Sequence, residues 1–447
     1  MPGLSYYFST TQKKHKMNSL INYIWQNQLI DRENLETTTG DSLCIIDCGT
    51  PDKERGHIYS NAKVRIGDKL WSGNIALHNN SSDWEKEIHK EPGCYSNVIL
   101  HVTLNNDCEA LRAHGETINQ LTVKCPSGLE EEFMLVKRQG YNLPCGNTIS
   151  KLADIHLHSY LSRMLAERME EKTTLIEKIF KQCNENWETA LFKTLVRSFG
   201  FGIQSWVFEE WAAILDTHAL AKHRDNTMQV EAIFFGQAGL LDEESIPYYY
   251  RDEAMRSDYY KNLVKEYKFL TAKFDLKKLD YRMWGNGNTS PHCRIARLAS
   301  IFRTQRFTMS SIAECHTTAE YRKLLIAPLE GYWSNHICFG GVEKCNNGDM
   351  REKQLDILII NSIVPILYVY GKHRKDERYC SKAEDILHQM KCEENYVVRQ
   401  WREKGVCIDC AADSQALLQL NRNYCQKHNC INCQFAYHYI KGRIAEC

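Results

Sequence analysis

The feature that most constrains this chain is a change of hydrophobic period near Pro144. Between Ser42 and Val123 the apolar residues come in short runs, LCIID, AKVRIG, WSGNIALH, NVILHVTL and QLTVK, separated by clusters of Gly, Asn, Asp and Pro. Such runs predict strands, whose successive side chains point to opposite faces of a sheet. Beyond Pro144 the apolar spacing becomes three to four. Leu152, Ile155, Leu161, Leu165, Ile176 and Phe180 then line one face of a helix over 152–183. The same spacing predicts helices over 187–199, 228–237, 258–274, 294–304, 355–370 and 414–424. One switch of period predicts an α+β protein, a mixed-sheet N-terminal domain followed by a large mainly α-helical domain. The expected divisions are a flexible N-terminus over 1–16, a sheet domain over 17–145 that opens on a short amphipathic helix, and a helical domain over 146–447 ending in a cysteine cluster.

Charge narrows the classes of partner. Lys+Arg and Asp+Glu both total 56 of the 447 residues, so no global field draws the molecule to nucleic acid or to an anionic membrane, and any such contact needs a local patch. The first residues, MPGLSYYFSTTQKKHKMN, contain no apolar core of a secretion signal, and the expected location is the cytoplasm. The longest apolar run, LDILIINSIVPILYVYG, is broken by Asn361, Ser362 and Pro365 and falls short of the roughly 20 residues that a membrane helix needs. It predicts a buried helix, with no membrane partner. No Walker-type loop, dinucleotide fingerprint, G-x-S-x-G or H-E-x-x-H is present, so no nucleotide cofactor is expected.

In a reducing compartment the 19 cysteines must be core thiols, nucleophiles or metal ligands. The stretch NYCQKHNCINC is the densest of them. Cys425, Cys430 and Cys433 follow a predicted helix with the spacing C-x4-C-x2-C, which matches part of a plant-type iron-sulfur pattern. Cys145, His428 or the pair Cys407 and Cys410 can complete the set, the pair giving a zinc-type C-x2-C-x19-C-x2-C with Cys430 and Cys433. The competing reading is simple packing beside Phe435, Tyr437 and Tyr439.

The runs NAKVRIGDKLWSGNIALHNNSSDW, YSNVILHV and DSQALLQLNRNYC resemble an uncharacterised bacterial domain-of-unknown-function family, number 2851. WETALFKTLVRSFGFG, QVEAIFFGQAGLL, CRIARLA and the stretch from Asn361 to Pro365 extend the resemblance over nearly the whole chain. In that family an acidic residue beside one strand and a Glu-x-His on the next resemble the carboxylate arrangement of restriction-endonuclease-like nucleases. There, two carboxylates hold Mg2+. This sequence carries Ile58 and Ala76 at the corresponding places, and an alkyl group cannot coordinate a hard cation. His78, Asp83, His89 and His101 remain as candidate catalytic residues. Alternation puts Ala76 and His78 on one face with His101 on the following strand. The resemblance to iron-sulfur nucleases, in which one distant cysteine joins a C-terminal trio, implies the set Cys145, Cys425, Cys430 and Cys433 around an iron-sulfur cluster or zinc.

Arg294, Arg297, Arg303 and Arg306 in RIARLASIFRTQR predict a basic helix face for phosphates. Together these features predict a nuclease-related protein with a degenerate catalytic site that binds nucleic acid or a protein partner. An active metal-dependent hydrolase using the four candidate residues, and a non-catalytic scaffold with a structural metal, are the alternatives.

Overall fold

The computed structural model describes residues 19–52, 56–88, 95–112, 115–138, 154–201, 205–281, 290–342 and 350–445, with Cys145, Ile149, Leu152 and Met283 as single positions. The chain divides into two compact units. The first takes residues 1–157, 403–406 and 420–447, and the second takes 158–402 and 407–419.

The first unit is built on a six-stranded mixed sheet: β1 (Leu43–Asp47), β2 (Thr50–Pro51), β3 (Ile58–Ile66), β4 (Lys69–Asn80), β5 (Val98–Asn105) and β6 (Gln120–Thr122). The order is β1-β3-β4-β5-β6, with β2 added to β3. β1, β3 and β4 pair antiparallel, whereas β4, β5 and β6 run parallel. Gly67 takes a left-handed φ of 56° in the two-residue turn between β3 and β4, a conformation that suits the twist of a hairpin. β5 is buried along six successive residues, as a strand covered on both faces must be. One face packs Tyr59, Val64, Ile75, Leu77, Leu100 and Val102 against Ile21 and Trp25 of the helix Leu20–Gln26. Ser19 caps that helix by accepting from the Asn22 N–H.

The opposite face gathers Ile58, Ala76, Val98, Ala110 and Ile118 under Trp84, Ile88 and Tyr95. Gly73 is obligatory between β4 and β5, because a Cβ there would meet the Ile99 side chain and the Asn97 carbonyl.

The second unit is helical, and its predicted helices form as Trp187–Ser198, Thr227–Gln237, Asp258–Phe274 and Pro291–Thr304. Thr227–Gln237 is buried almost all round. Gly236 lets it approach the ring of Tyr267, and Gln237 spends its whole amide: it donates to the Ile214 and Lys277 carbonyls and accepts from the Asp216 N–H.

The apolar run predicted as one buried helix is helical from Glu352 to Arg374 and 67% of its most apolar window is buried, but Ile359–Ile363 forms a π-turn. Pro365 explains it. Having no N–H, Pro365 cannot bond in helical register, and the Val364 N–H donates to Ile359 O instead of Ile360 O. The orphaned Ile360 carbonyl accepts from Lys172 Nζ at 3.1 Å.

Candidate functional site

The face of the sheet under Trp84 is where the sequence places its candidate chemistry. Ile58 of β3 lies opposite Ala76 of β4, and Ala76 lies opposite His101 of β5, so three adjacent strands bring these positions side by side. His78, two residues on from Ala76, shares their face and pairs in register with Thr103. Its Nδ1 is 2.9 Å from His101 Nε2. His57 Nε2 is 2.8 Å from the Tyr95 hydroxyl, and its ring lies 5.3 Å from that of His78.

Trp84 closes the face. Its ring packs 4.9 Å from His101 and 5.1 Å from Tyr95, and its indole N–H donates to Leu111 O at 2.7 Å. The preceding SS pair fixes it there. Ser81 and Ser82 donate to Asp107 through both hydroxyls and the Ser82 N–H, and those bonds hold the Asp107 carboxyl well below the usual range. Asp107, His57 and Tyr95 complete this arrangement although sequence reasoning did not single them out. Each follows or precedes an irregular segment, where no period marks it.

The imidazoles sit in a closed, water-poor place: His57 is 6% exposed, His78 7% and His101 0%. Burial lowers the His101 pKa to about 3, against a smaller opposing pull from Asp83. Asp83 itself opens the helix Asp83–Ile88 and pairs with Lys86 at 2.9 Å. His89 lies outside the described residues. The face therefore offers two hydrogen-bonded pairs, His57 with Tyr95 and His78 with His101, beside alkyl side chains at Ile58 and Ala76.

A family model described as a protein of unknown function, DUF2851, matches residues 18–396, which include every strand of this sheet. The chain belongs to the DUF2851 family. No curated protein and no solved structure matches it.

The C-terminal cysteine trio lies beyond the DUF2851 match, yet the fold brings it to Cys145. Cys145, Cys425 and Cys430 are all raised in pKa, first by burial and then by neighbouring thiols: Cys433 and Cys430 act on Cys145, Cys433, Cys145 and Cys430 on Cys425, and Cys433 on Cys430. Cys145 is pushed up to about 12 and Cys430 to about 11. Among the described residues no three His, Cys, Asp or Glu side chains are arranged as a ready metal-ligand set. Cys407 and Cys410 belong to the second unit and face the carboxylates of Asp409 and Asp413.

In this DUF2851 chain the candidate arginines Arg294, Arg297, Arg303 and Arg306 do not share one face. Arg294 turns inward, donating to Phe199 O and lying 5.3 Å over the Phe201 ring, and burial lowers its pKa. Arg303 stands nine residues on, about half a turn away at roughly 100° per residue. It lines a cavity, Arg297 lies half-buried between, and Arg306 is exposed beyond the helix end.

Proposed function

We propose that this DUF2851 chain is a nuclease-related protein whose sheet unit binds nucleic acid without cutting it. The observation that carries this reading is the register Ile58, Ala76, His101 across three adjacent strands. Carboxylates at the first two positions would be cross-strand neighbours about 5 Å apart, close enough to share one cation. Here the space is filled by alkyl groups under Trp84. Burial of His78 and His101, and the low pKa of His101, weigh against the active-hydrolase alternative, because a general base must reach a substrate or water.

The test is a binding and cleavage assay on single-stranded and duplex DNA and RNA with Mg2+, Mn2+ or Zn2+. Binding that weakens steeply with salt, with no cleavage, is expected. No binding at low salt would sink the reading, and metal-dependent cleavage abolished by His78→Ala would replace it with the hydrolase. A second assignment concerns the thiols. Their convergence from distant parts of the chain favours a structural iron-sulfur cluster or zinc held by Cys145, Cys425, Cys430 and Cys433, binding with loss of their protons.

A further inference from the structure

The helical unit contains a cavity of about 410 Å3, within the range of small-ligand sites. Glu231 of the helix Thr227–Gln237 and Arg303 of the helix Pro291–Thr304 both line it. Glu231 is held on one side only: Tyr259 donates to its Oε2 at 2.8 Å, and Trp333 Nε1 donates to the Tyr259 oxygen at 2.7 Å. Its Oε1 has no hydrogen-bond partner among the described residues. Among the described residues Arg303 makes no ion pair or hydrogen bond. The two charges feel each other, since Arg303 draws the Glu231 pKa down, but they do not meet within 4 Å. An unpaired guanidinium and a half-satisfied carboxyl thus face one space whose remaining walls include Met228, Ala296 and Leu329.

We propose that this cavity binds a small zwitterion, a free α-amino acid with an apolar side chain, its ammonium on Glu231 and its carboxylate on Arg303. The site asks for one cationic donor and one anionic acceptor in the same molecule, because either charge alone would leave the opposite protein charge without a counter-charge. A guanidinium matches a carboxylate with two parallel N–H donors. Burial raises the Glu231 pKa, and an ammonium placed against Oε1 would act in the opposite direction, favouring the carboxylate. The Trp333–Tyr259–Glu231 chain fixes the carboxyl before any ligand arrives, which lowers the entropic cost of binding. This reading is independent of the one for the sheet unit.

The experiment is calorimetric titration of the full chain with free L-leucine, L-methionine and L-phenylalanine, beside isopentylamine and 4-methylpentanoate as single-charge controls. At least one amino acid is expected to bind, with each control at least tenfold weaker. Glu231→Gln keeps an oxygen for Tyr259 and Arg303→Met keeps the stem, so both should fold, as circular dichroism and the ligand-free melting temperature report. Each should weaken amino-acid binding at least tenfold. The proposal is overturned by no binding of any amino acid at millimolar concentration, by controls that bind as well, or by binding that survives both substitutions in folded protein.

Discussion

His101 shows what a single residue can report. The period of the strands placed it beside His78, and the fold puts the two ring nitrogens 2.9 Å apart. Spacing could not show that Trp84 would seal the pair from water, since that depends on Asp107 holding the SS turn from a separate segment. Sealing fixes a pH dependence. The folded pKa is about 3 against 6.5 in the unfolded chain, so the neutral ring's contribution is complete above pH 6.5 and is lost as pH falls toward 3. One proton bound only by the unfolded state tilts stability by up to roughly 1.4 kcal/mol per pH unit. His101→Gln should therefore flatten the profile between pH 6 and 4 in urea unfolding. Parallel profiles for wild type and variant would show that His101 is not buried neutral.

At the scale of elements, strong periodicity transmitted well and mixed faces did not. The helices Trp187–Ser198 and Asp258–Phe274 lie where three-to-four spacing puts them, give or take a residue. Over 294–306 the arginines point in different directions, because counting arginines ignores angle, and the half-buried ring of Phe201 and the buried ring of Phe208 lie against Arg294. Pro365 told that the long apolar helix was interrupted but not what would satisfy the carbonyl it frees. That partner, Lys172, comes from a helix almost 190 residues earlier. Lys172 keeps a little exposure yet is crowded by protein, and burial, then Arg168, lowers its pKa to about 7, against the pull of Glu393. Between pH 7 and 10.5 the unfolded chain holds a proton that native Lys172 has shed, so stability rises with pH through that window and falls again as pH drops to 7. Lys172→Met should flatten the rise between pH 7.5 and 9.5, at a cost of about 1–3 kcal/mol at the upper end for the bare Ile360 carbonyl. An unchanged slope in denaturant titrations would contradict it.

For the whole molecule, the change of period near Pro144 foretold a sheet followed by helices, and that is the α+β architecture observed. It could not foretell that the last residues pack with the sheet unit, since a short helix such as Gln434–Ala445 carries no mark of its partner. Phe435 and Ile440 are each 1% exposed in that unit, and Tyr23, near the other end of the chain, feels Tyr437 and Cys433. The unit thus needs residues 420–447 as well as its sheet, and the four thiols lie where these sequence-distant parts meet. If they hold a metal, its binding free energy is folding free energy for this unit. Cys430→Ser should then lose the bound iron or zinc and expose residues 19–138 to limited proteolysis, while 205–402 stay protected. Cys407→Ser, in the other unit and engaged with Asp409, should keep both the metal and the protection. Wild-type protein purified without oxygen that is metal-free, with a proteolytic pattern shared by both variants, would mean that the thiols only pack. Closure would then rest on apolar contacts, those of Ile431, Phe435, Ala436 and Ile440 among them.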